Sequence, residues 1–127
     1  MQLQSVAEHD KAPILIVEDD REIREAMREA LEDAGYHVAV AQHGRDALDQ
    51  LQSMERPMLI LLDLMMPVMS GPELLEVLHE DREAKNIPIV VVSAYSLSED
   101  SACGVSGVLP KPFTLNALLD CAARFSH

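Results

Sequence analysis

The sequence predicts a doubly wound α/β fold with a five-stranded parallel sheet, and two features of the chain indicate it. Short aliphatic runs alternate with segments in which apolar residues recur every three or four positions, the spacing of an amphipathic helix. The runs are apolar at successive positions, as expected for strands that helices cover on both faces. Parallel strands joined by right-handed helical crossovers give a sheet with a helical layer on each side.

Five aliphatic runs are the candidate strands, and they lie at Ile14–Val17, Val38–Ala41, 58–62, 89–92 and 108–109. Between the first two runs, apolar residues at helical spacing extend from Ile23 to Ala34. Gly35 follows at the position where glycine commonly ends a helix. This segment is therefore predicted to be one amphipathic helix that connects the first two strands.

Three further segments repeat the helical spacing, at 47–51, 74–78 and 115–122. Ser70 precedes the second of these, and Glu73 follows it by three residues, a pattern that favours a capping box. Each segment follows one of the candidate strands, so the alternation of strands and helices continues to the end of the chain.

Length and charge limit the functions that the chain can have. Its 127 residues fit one domain, which we place at 13–127, after a polar and flexible lead-in at 1–12. The 10 basic and 22 acidic residues give a net charge of -12, which repels nucleic acid backbones and anionic lipids. Direct binding to nucleic acid or to a membrane surface is therefore not expected.

The cysteine content and the hydropathy pattern indicate a cytosolic protein. Two cysteines make no disulfide framework, and the first residues contain no apolar signal segment. No apolar run is long enough to cross a bilayer. The five histidines lack metal-ligand spacing and are expected at solvated positions, while methionines such as Met27 are expected in the core.

Acidic residues follow two of the predicted strands. Glu18, Asp19 and Asp20 come directly after the first strand, and Asp63 ends the third within a strongly apolar stretch. An isolated buried carboxylate costs several kcal/mol, so Asp63 requires a nearby cation or donor. The acidic triplet by itself is equally well explained as the first turn of a helix, where negative charge is favourable.

A hydroxyl and an amine follow the last two strands. Ser93 ends the fourth and Lys111 the fifth, and each alone is more often an ordinary turn or surface residue. Carboxyl ends of parallel strands meet at one edge of the sheet, where such folds bind ligands. Carboxylates, a hydroxyl and a lysine at that edge form a site for Mg²⁺ and an anion, with Asp63 as a nucleophile toward a phosphoryl group.

The chain resembles the receiver domain of two-component response regulators over residues 13–126. The motifs that carry the resemblance are ILIVEDD at 14–20, LLDLMMPVMSG at 61–71, IVVVSA at 89–94 and KPF at 111–113. The family places its metal-binding aspartate about 44 residues before the phosphorylated one, and 63 minus 19 is 44. The resemblance therefore assigns these two positions to Asp19 and Asp63, within a flavodoxin-like (βα)5 receiver fold.

The resemblance implies a role for each site residue. Asp63 is the phosphoacceptor and binds Mg²⁺ together with Asp19 and the backbone carbonyl of Met65, whereas Glu18 reaches the ion through water. Asp20 is then an acid of the first helical turn.

On the anion side, the resemblance implies that Ser93 hydrogen-bonds the phosphoryl group and that Lys111 pairs with it. It also implies a cis peptide bond between Lys111 and Pro112, and Ala94 provides the small residue expected beside the phosphate.

The implied function is a phosphorylation-dependent signalling switch. The donor would be a phosphohistidine on a sensor histidine kinase or a histidine phosphotransfer protein, docking near the first helix and the loop after Lys111. The output partner is not identified by the sequence. Such a domain catalyses only its own phosphorylation and slow dephosphorylation, so we do not expect an enzyme that turns over an external substrate.

One position and one interval depart from the family pattern. Val108 stands where the family usually has an aromatic ring, and Tyr95 is a weak candidate to replace it. The interval from Ser93 to Lys111, 111 minus 93 or 18 residues, is shorter than usual by about one helical turn. The fourth of five helices is therefore expected to be short or irregular, which also makes the family's usual dimer doubtful.

Two other functions compete with the switch. A degenerate receiver would act as a constitutive protein-interaction module, although the complete set of acidic, hydroxyl and lysine residues argues against it. A phosphatase of the haloacid dehalogenase type would carry an aspartate two residues after its nucleophile, where this chain has Met65.

Overall fold

The computed structural model describes residues 12–63, 71–81, 86–93 and 105–125. Within these ranges the chain forms five strands and four helices. The strands are β1 (Ile14–Val17), β2 (Val38–Ala41), β3 (Leu59–Asp63), β4 (Ile89–Ser93) and β5 (Gly107–Pro110). The helices are α1 (Arg21–Asp33), α2 (Gly44–Ser53), α3 (Gly71–Glu80) and α4 (Leu115–Phe125). Residues 1–11 of the predicted lead-in at 1–12, Ser70 of the predicted capping box and the short helix predicted between β4 and β5 lie outside the described residues.

The five strands form one parallel sheet with the order β2-β1-β3-β4-β5, which confirms the predicted doubly wound architecture. The chain first moves from β1 to one edge of the sheet and then crosses back to β3 on the other side. Open sheets of this type bind ligands beyond the carboxyl ends of the strands, where the strand order reverses. Here that point lies between β1 and β3.

In the described parts of the chain, two helices lie on each face of the sheet. Leu15, Ile60 and Val91 point to the face that α2 and α3 cover, and their strand neighbours point to the face covered by α1 and α4. Because successive strand residues face opposite sides, both sides must be apolar, which explains the continuous aliphatic runs. Fully burying one such side chain stabilises the fold by roughly 1.5–3 kcal/mol.

Helix α1 is capped at both ends by side chains and backbone of its own segment. The Asp20 carboxylate accepts hydrogen bonds from the backbone N–H groups of Glu22 (2.9 Å) and Ile23 (3.2 Å). Asp20 is thus the N-cap and not an acid of the first turn, because the first helical residue is Arg21. At the other end Gly35 adopts φ 100°, a left-handed conformation in which the chain can leave the helix.

Helix α2 begins with a histidine cap. The His43 Nδ1 accepts a hydrogen bond from the Asp46 N–H (3.1 Å), and the Asp46 carboxylate accepts one from the Gln42 N–H (3.1 Å). The expectation of a solvated His43 is therefore wrong, since the ring is half-buried and engaged by the backbone.

Among the parts of the chain described above, we find no helix with the length and apolar character needed to cross a membrane.

Candidate functional site

Three buried polar side chains lie at the carboxyl ends of neighbouring strands. In the sheet register Val17 pairs with Leu62 and Asp63 pairs with Val92, so Glu18, Asp63 and Ser93 follow one another along the same edge. Their exposed fractions are 1%, 4% and 3%. Within the described ranges they are the only buried residues of polar or charged type, which marks this edge as the place where polarity is retained inside the fold.

Three carboxylates converge at this edge. Glu18, Asp19 and Asp63 each offer one oxygen, and these oxygens all lie within 4.8 Å of one another. Glu18 and Asp63 are buried, whereas Asp19 is exposed. Like charges so close repel one another, and the two buried ones are poorly solvated as well, which makes the group costly without a cation.

Lys111 supplies part of the compensating charge. Its Nζ lies 3.1 Å from Glu18 Oε1 and 3.6 Å from Asp63 Oδ1, so one ammonium group contacts both buried carboxylates. Burial lowers the pKa of Lys111, but the contacts with Glu18 and Asp63 outweigh this effect and leave the pKa raised. The amine is therefore charged at neutral pH, and among the described residues its positive charge contacts two of the three carboxylates.

The pKa of Glu18 indicates that Lys111 does not fully compensate the negative charge of the carboxylates at this edge. Burial, reinforced by the negative charge of Asp63, raises the pKa of Glu18 to about 7, although the Asp20 N–H and Lys111 act in the opposite direction. The Oε1 atom is buried and forms an ion pair with Lys111, but it receives no well-oriented hydrogen bond from the residues that the structure describes. A buried oxygen with spare acceptor capacity, beside two other carboxylates, fits the oxygen ligands of a hard divalent cation.

The loop between β1 and α1 is held by hydrogen bonds on both sides of Asp19. The Arg24 Nη1 donates to the Glu18 carbonyl oxygen (3.0 Å), and the Asp20 N–H donates to Glu18 Oε2 (3.2 Å). Sequence analysis missed Arg24. The available signal was its position on the fourth residue of α1, because helical side chains lean toward the N-terminus and a long one there can reach the preceding loop.

Ser93 and Lys111 are joined through the backbone. The Lys111 N–H donates to the Ser93 carbonyl oxygen (2.9 Å), and the peptide bond between Lys111 and Pro112 is cis, as the resemblance implied. Met65, Ala94 and Tyr95 lie outside the described residues. Val108 is 44% exposed on β5.

An apolar groove of about 480 Å³ opens beside the lysine. Its walls are formed by α1 and by the segment from Lys111 to Leu115, and Leu115 is 55% exposed. Ile23, Met27 and Phe113 line the groove, together with Glu22 at its edge. A partner that docked in this groove would therefore lie next to the buried carboxylates.

Comparison with known proteins gives the family of this chain. The family model named "Response regulator receiver domain" matches residues 14–123 of this chain. The response regulator MprA of Mycolicibacterium vanbaalenii is 44% identical over 110 residues, which cover 84% of this chain and 46% of that protein. MprA of Mycobacterium avium is 42% identical and is covered over 47% of its length. The chain thus spans about half the length of these curated relatives.

Solved structures of similar sequence have the same fold. The chemotaxis protein CheY4 of Vibrio cholerae superposes with a TM-score of 0.83 at 34% identity, covering 90% of this chain and 98% of that one. The response regulator TrrA of Thermotoga maritima, solved in complex with Mg²⁺-BeF, gives a TM-score of 0.80 at 29% identity with the same coverage. The chain belongs to the response regulator receiver domain family, and its function is the phosphorylation-dependent signalling of two-component systems.

Proposed function

We propose that Asp63 accepts a phosphoryl group from a phosphohistidine in a reaction that requires Mg²⁺. The observation that carries the proposal is the arrangement at the sheet edge, where three carboxylate oxygens lie within 4.8 Å of one another and Lys111 contacts the two buried ones. The presence of Mg²⁺ in the related TrrA structure supports the choice of ion.

Asp63, Asp19 and the Met65 carbonyl would hold the ion, and Glu18 would contact it through water. Bound Mg²⁺ would supply positive charge that offsets the charge on the phosphoryl oxygens.

In the proposed transfer, a carboxylate oxygen of Asp63 attacks phosphorus and a new P–O bond forms as the P–N bond of the phosphohistidine breaks. The electron pair of the P–N bond stays on the leaving imidazole nitrogen. The Lys111 ammonium pairs with one phosphoryl oxygen, and the Ser93 hydroxyl donates a hydrogen bond to another. The depth of Asp63, which is 4% exposed, limits the access of water to the transferred group.

Phosphorylation changes what the cation and the hydroxyl contact. The new group carries nearly two negative charges and three acceptor oxygens. The Lys111 side chain would turn from Glu18 toward this group, and the Ser93 hydroxyl would turn toward it to donate a hydrogen bond. The backbone hydrogen bond of 2.9 Å between the two residues keeps their strand ends side by side. The change would reach the surface around β5, where Val108, which is 44% exposed, stands at the position at which the resemblance implies an aromatic ring.

Intact mass after incubation with acetyl phosphate tests the phosphoacceptor. We expect the wild type to gain one phosphoryl group when Mg²⁺ is present and to gain none in EDTA. Asp63→Asn should gain none, whereas Asp33→Asn, the same change at an exposed position on α1, should behave as the wild type. A gain by Asp63→Asn would place the phosphoryl group on another residue, and no gain by the wild type would favour a constitutive interaction module.

The proposed donor docks in the apolar groove beside Lys111. A sensor histidine kinase or a histidine phosphotransfer protein would bring its phosphohistidine to Asp63 from this side, since the groove combines exposed apolar surface with a position beside Lys111, which contacts Asp63. We place this exchange in the cytosol and propose no turnover of an external substrate.

Leu115→Ser should therefore slow transfer from a phosphorylated histidine phosphotransfer protein but leave phosphorylation by acetyl phosphate unchanged. Val77→Ser removes an exposed valine on α3 and serves as the matched control. Equal transfer to both variants would refute docking in the groove.

A further inference from the structure

Asp19 differs from the two other carboxylates of the site because it is exposed. Glu18 and Asp63 are fixed by burial between strand ends, whereas packing does not hold the Asp19 side chain. Its direction depends on the two peptide groups that flank it. One of these is held by the Glu18 carboxylate, which accepts the Asp20 N–H. The other is held by Arg24, whose Nη1 donates to the Glu18 carbonyl oxygen at 3.0 Å.

Arg24 has the geometry of a brace between helix and loop. Its own N–H bonds to the Asp20 carbonyl (2.9 Å), so its backbone is fixed in the first turn of α1 while its guanidinium reaches back to the loop. Arg28, one turn further along α1, instead pairs with Glu25 and with Glu32 (2.8 Å) on the solvent face. The two arginines share a helix and a charge, but only Arg24 contacts the carboxylate loop.

We propose that Arg24 is a positioning residue that fixes the peptide group before Asp19 and thereby aims the Asp19 carboxylate at the divalent cation. This inference rests on the metal site of the proposed function. Groups that orient metal ligands commonly contribute a factor of about 10 or more to metal affinity. The guanidinium acts through the Glu18 carbonyl and touches neither the ion nor the phosphoryl group.

The sign of the effect separates this role from simple electrostatics. Removing a nearby positive charge makes a cation site more negative and should strengthen Mg²⁺ binding. Loss of a brace should weaken it. Arg24→Ala is therefore expected to bind Mg²⁺ more weakly although its site is more negative, whereas Arg28→Ala, with the same charge change, should not.

The experiment titrates Mg²⁺ into the metal-free, isotopically labelled protein and follows the backbone amide signals of the loop. We expect the half-saturating Mg²⁺ concentration to rise about tenfold in Arg24→Ala and to stay within about twofold of the wild type in Arg28→Ala. Arg24→Lys retains a donor that can reach the same carbonyl and should fall between them. Without metal, the ¹⁵N heteronuclear NOE of Asp19 should decrease in Arg24→Ala only. Phosphorylation of Arg28→Ala by acetyl phosphate at saturating Mg²⁺ should remain close to that of the wild type, because Arg28 pairs with Glu25 and Glu32 away from the site.

Each outcome decides one question. Unchanged or tighter Mg²⁺ binding by Arg24→Ala, or equal weakening in Arg28→Ala, overturns the role of Arg24. If Arg24→Ala does not fold, Arg24→Met, which keeps an aliphatic stem but has no donor for the Glu18 carbonyl, carries the test, and wild-type affinity in that folded variant together with an unchanged Asp19 NOE also overturns it. A wild type that binds Mg²⁺ but gains no phosphoryl group refutes the proposed function and leaves the role of Arg24 intact. A wild type that binds no Mg²⁺ refutes both.

Discussion

The buried carboxylate of Glu18 predicts that the metal-free protein loses stability as the pH rises. Burial and the charge of Asp63 raise the Glu18 pKa from 4.5 to about 7 in the folded protein. A group whose folded pKa is raised binds protons more tightly in the folded state. Its favourable contribution is complete below pH 4.5 and is lost as the pH rises through about 7.

The size of the effect follows from the two pKa values. Each pKa unit corresponds to about 1.4 kcal/mol, so the interval from 4.5 to about 7 sets an upper limit of about 3 kcal/mol. Between pH 5 and pH 8 most of that interval is crossed. We expect Glu18→Gln, which cannot ionise, to gain about 2–3 kcal/mol of unfolding free energy relative to the wild type over this range.

Urea denaturation in EDTA at a series of pH values measures this difference. Comparing the two proteins at each pH removes the contribution of the groups that titrate alike in both. Adding Mg²⁺ should stabilise the wild type most at high pH, because the ion favours the ionised carboxylates. A stability difference between Glu18→Gln and wild type that stays constant from pH 5 to pH 8 would refute the reasoning, since it would mean that folding leaves the Glu18 pKa unchanged.

Three other substitutions or reactions test the fold around the site. Asp20→Ala should lower the unfolding free energy by about 1 kcal/mol through loss of the α1 cap, whereas Asp20→Asn, which also caps helices, should stay close to the wild type in the same denaturation assay. Leu118→Ala removes a side chain that is 0% exposed and should cost about 2–5 kcal/mol, while Ala123→Ser on the exposed side of α4 should cost little; equal costs would contradict the assigned face. Burial raises the pKa of the Cys121 thiol, so peptide mass mapping should find iodoacetamide modification at Cys121 slow in the native protein at pH 8 and fast in urea, and fast native labelling would contradict its burial.

The strand ends were predictable because the sheet is parallel. Once alternating strands and helices are recognised, the carboxyl ends of all strands must meet at one edge, so Glu18, Asp63, Ser93 and Lys111 are brought together by topology alone. The depth of Asp63 also followed from its apolar flanks. The roles of these residues remain predictions until the phosphorylation experiments are done.

Element boundaries were less predictable than element type. The third strand was expected at 58–62 but is Leu59–Asp63, because pairing with Val92 carries the ladder onto the aspartate. The fifth extends to Pro110, which a central strand would exclude but an edge strand tolerates. A pattern of apolar residues does not record which backbone groups are paired.

The polar supports around the site could not be predicted from residue types. Asp20 was expected to be a first-turn acid, and the difference from an N-cap is a single position in the start of α1. Whether Arg24 points to solvent or back to the Glu18 carbonyl depends on the path of the loop, which no spacing rule gives. The cap formed by His43 was missed in the same way. Residue type alone predicts a solvated histidine, whereas capping depends on the direction in which the backbone enters α2.

The hydrogen bond from the Lys111 N–H to the Ser93 carbonyl has a consequence for how this domain can diverge. It attaches the end of the edge strand β5 to its neighbour β4. The backbones of the two residues that would contact the phosphoryl group are therefore held side by side. Insertions and deletions between them alter the length of the connection without separating its anchored ends. The short connection that the resemblance implies between these residues would therefore leave the Ser93 and Lys111 backbones side by side. A change in the length of this connection would therefore leave the proposed contacts of Ser93 and Lys111 with a phosphoryl group on Asp63 in place.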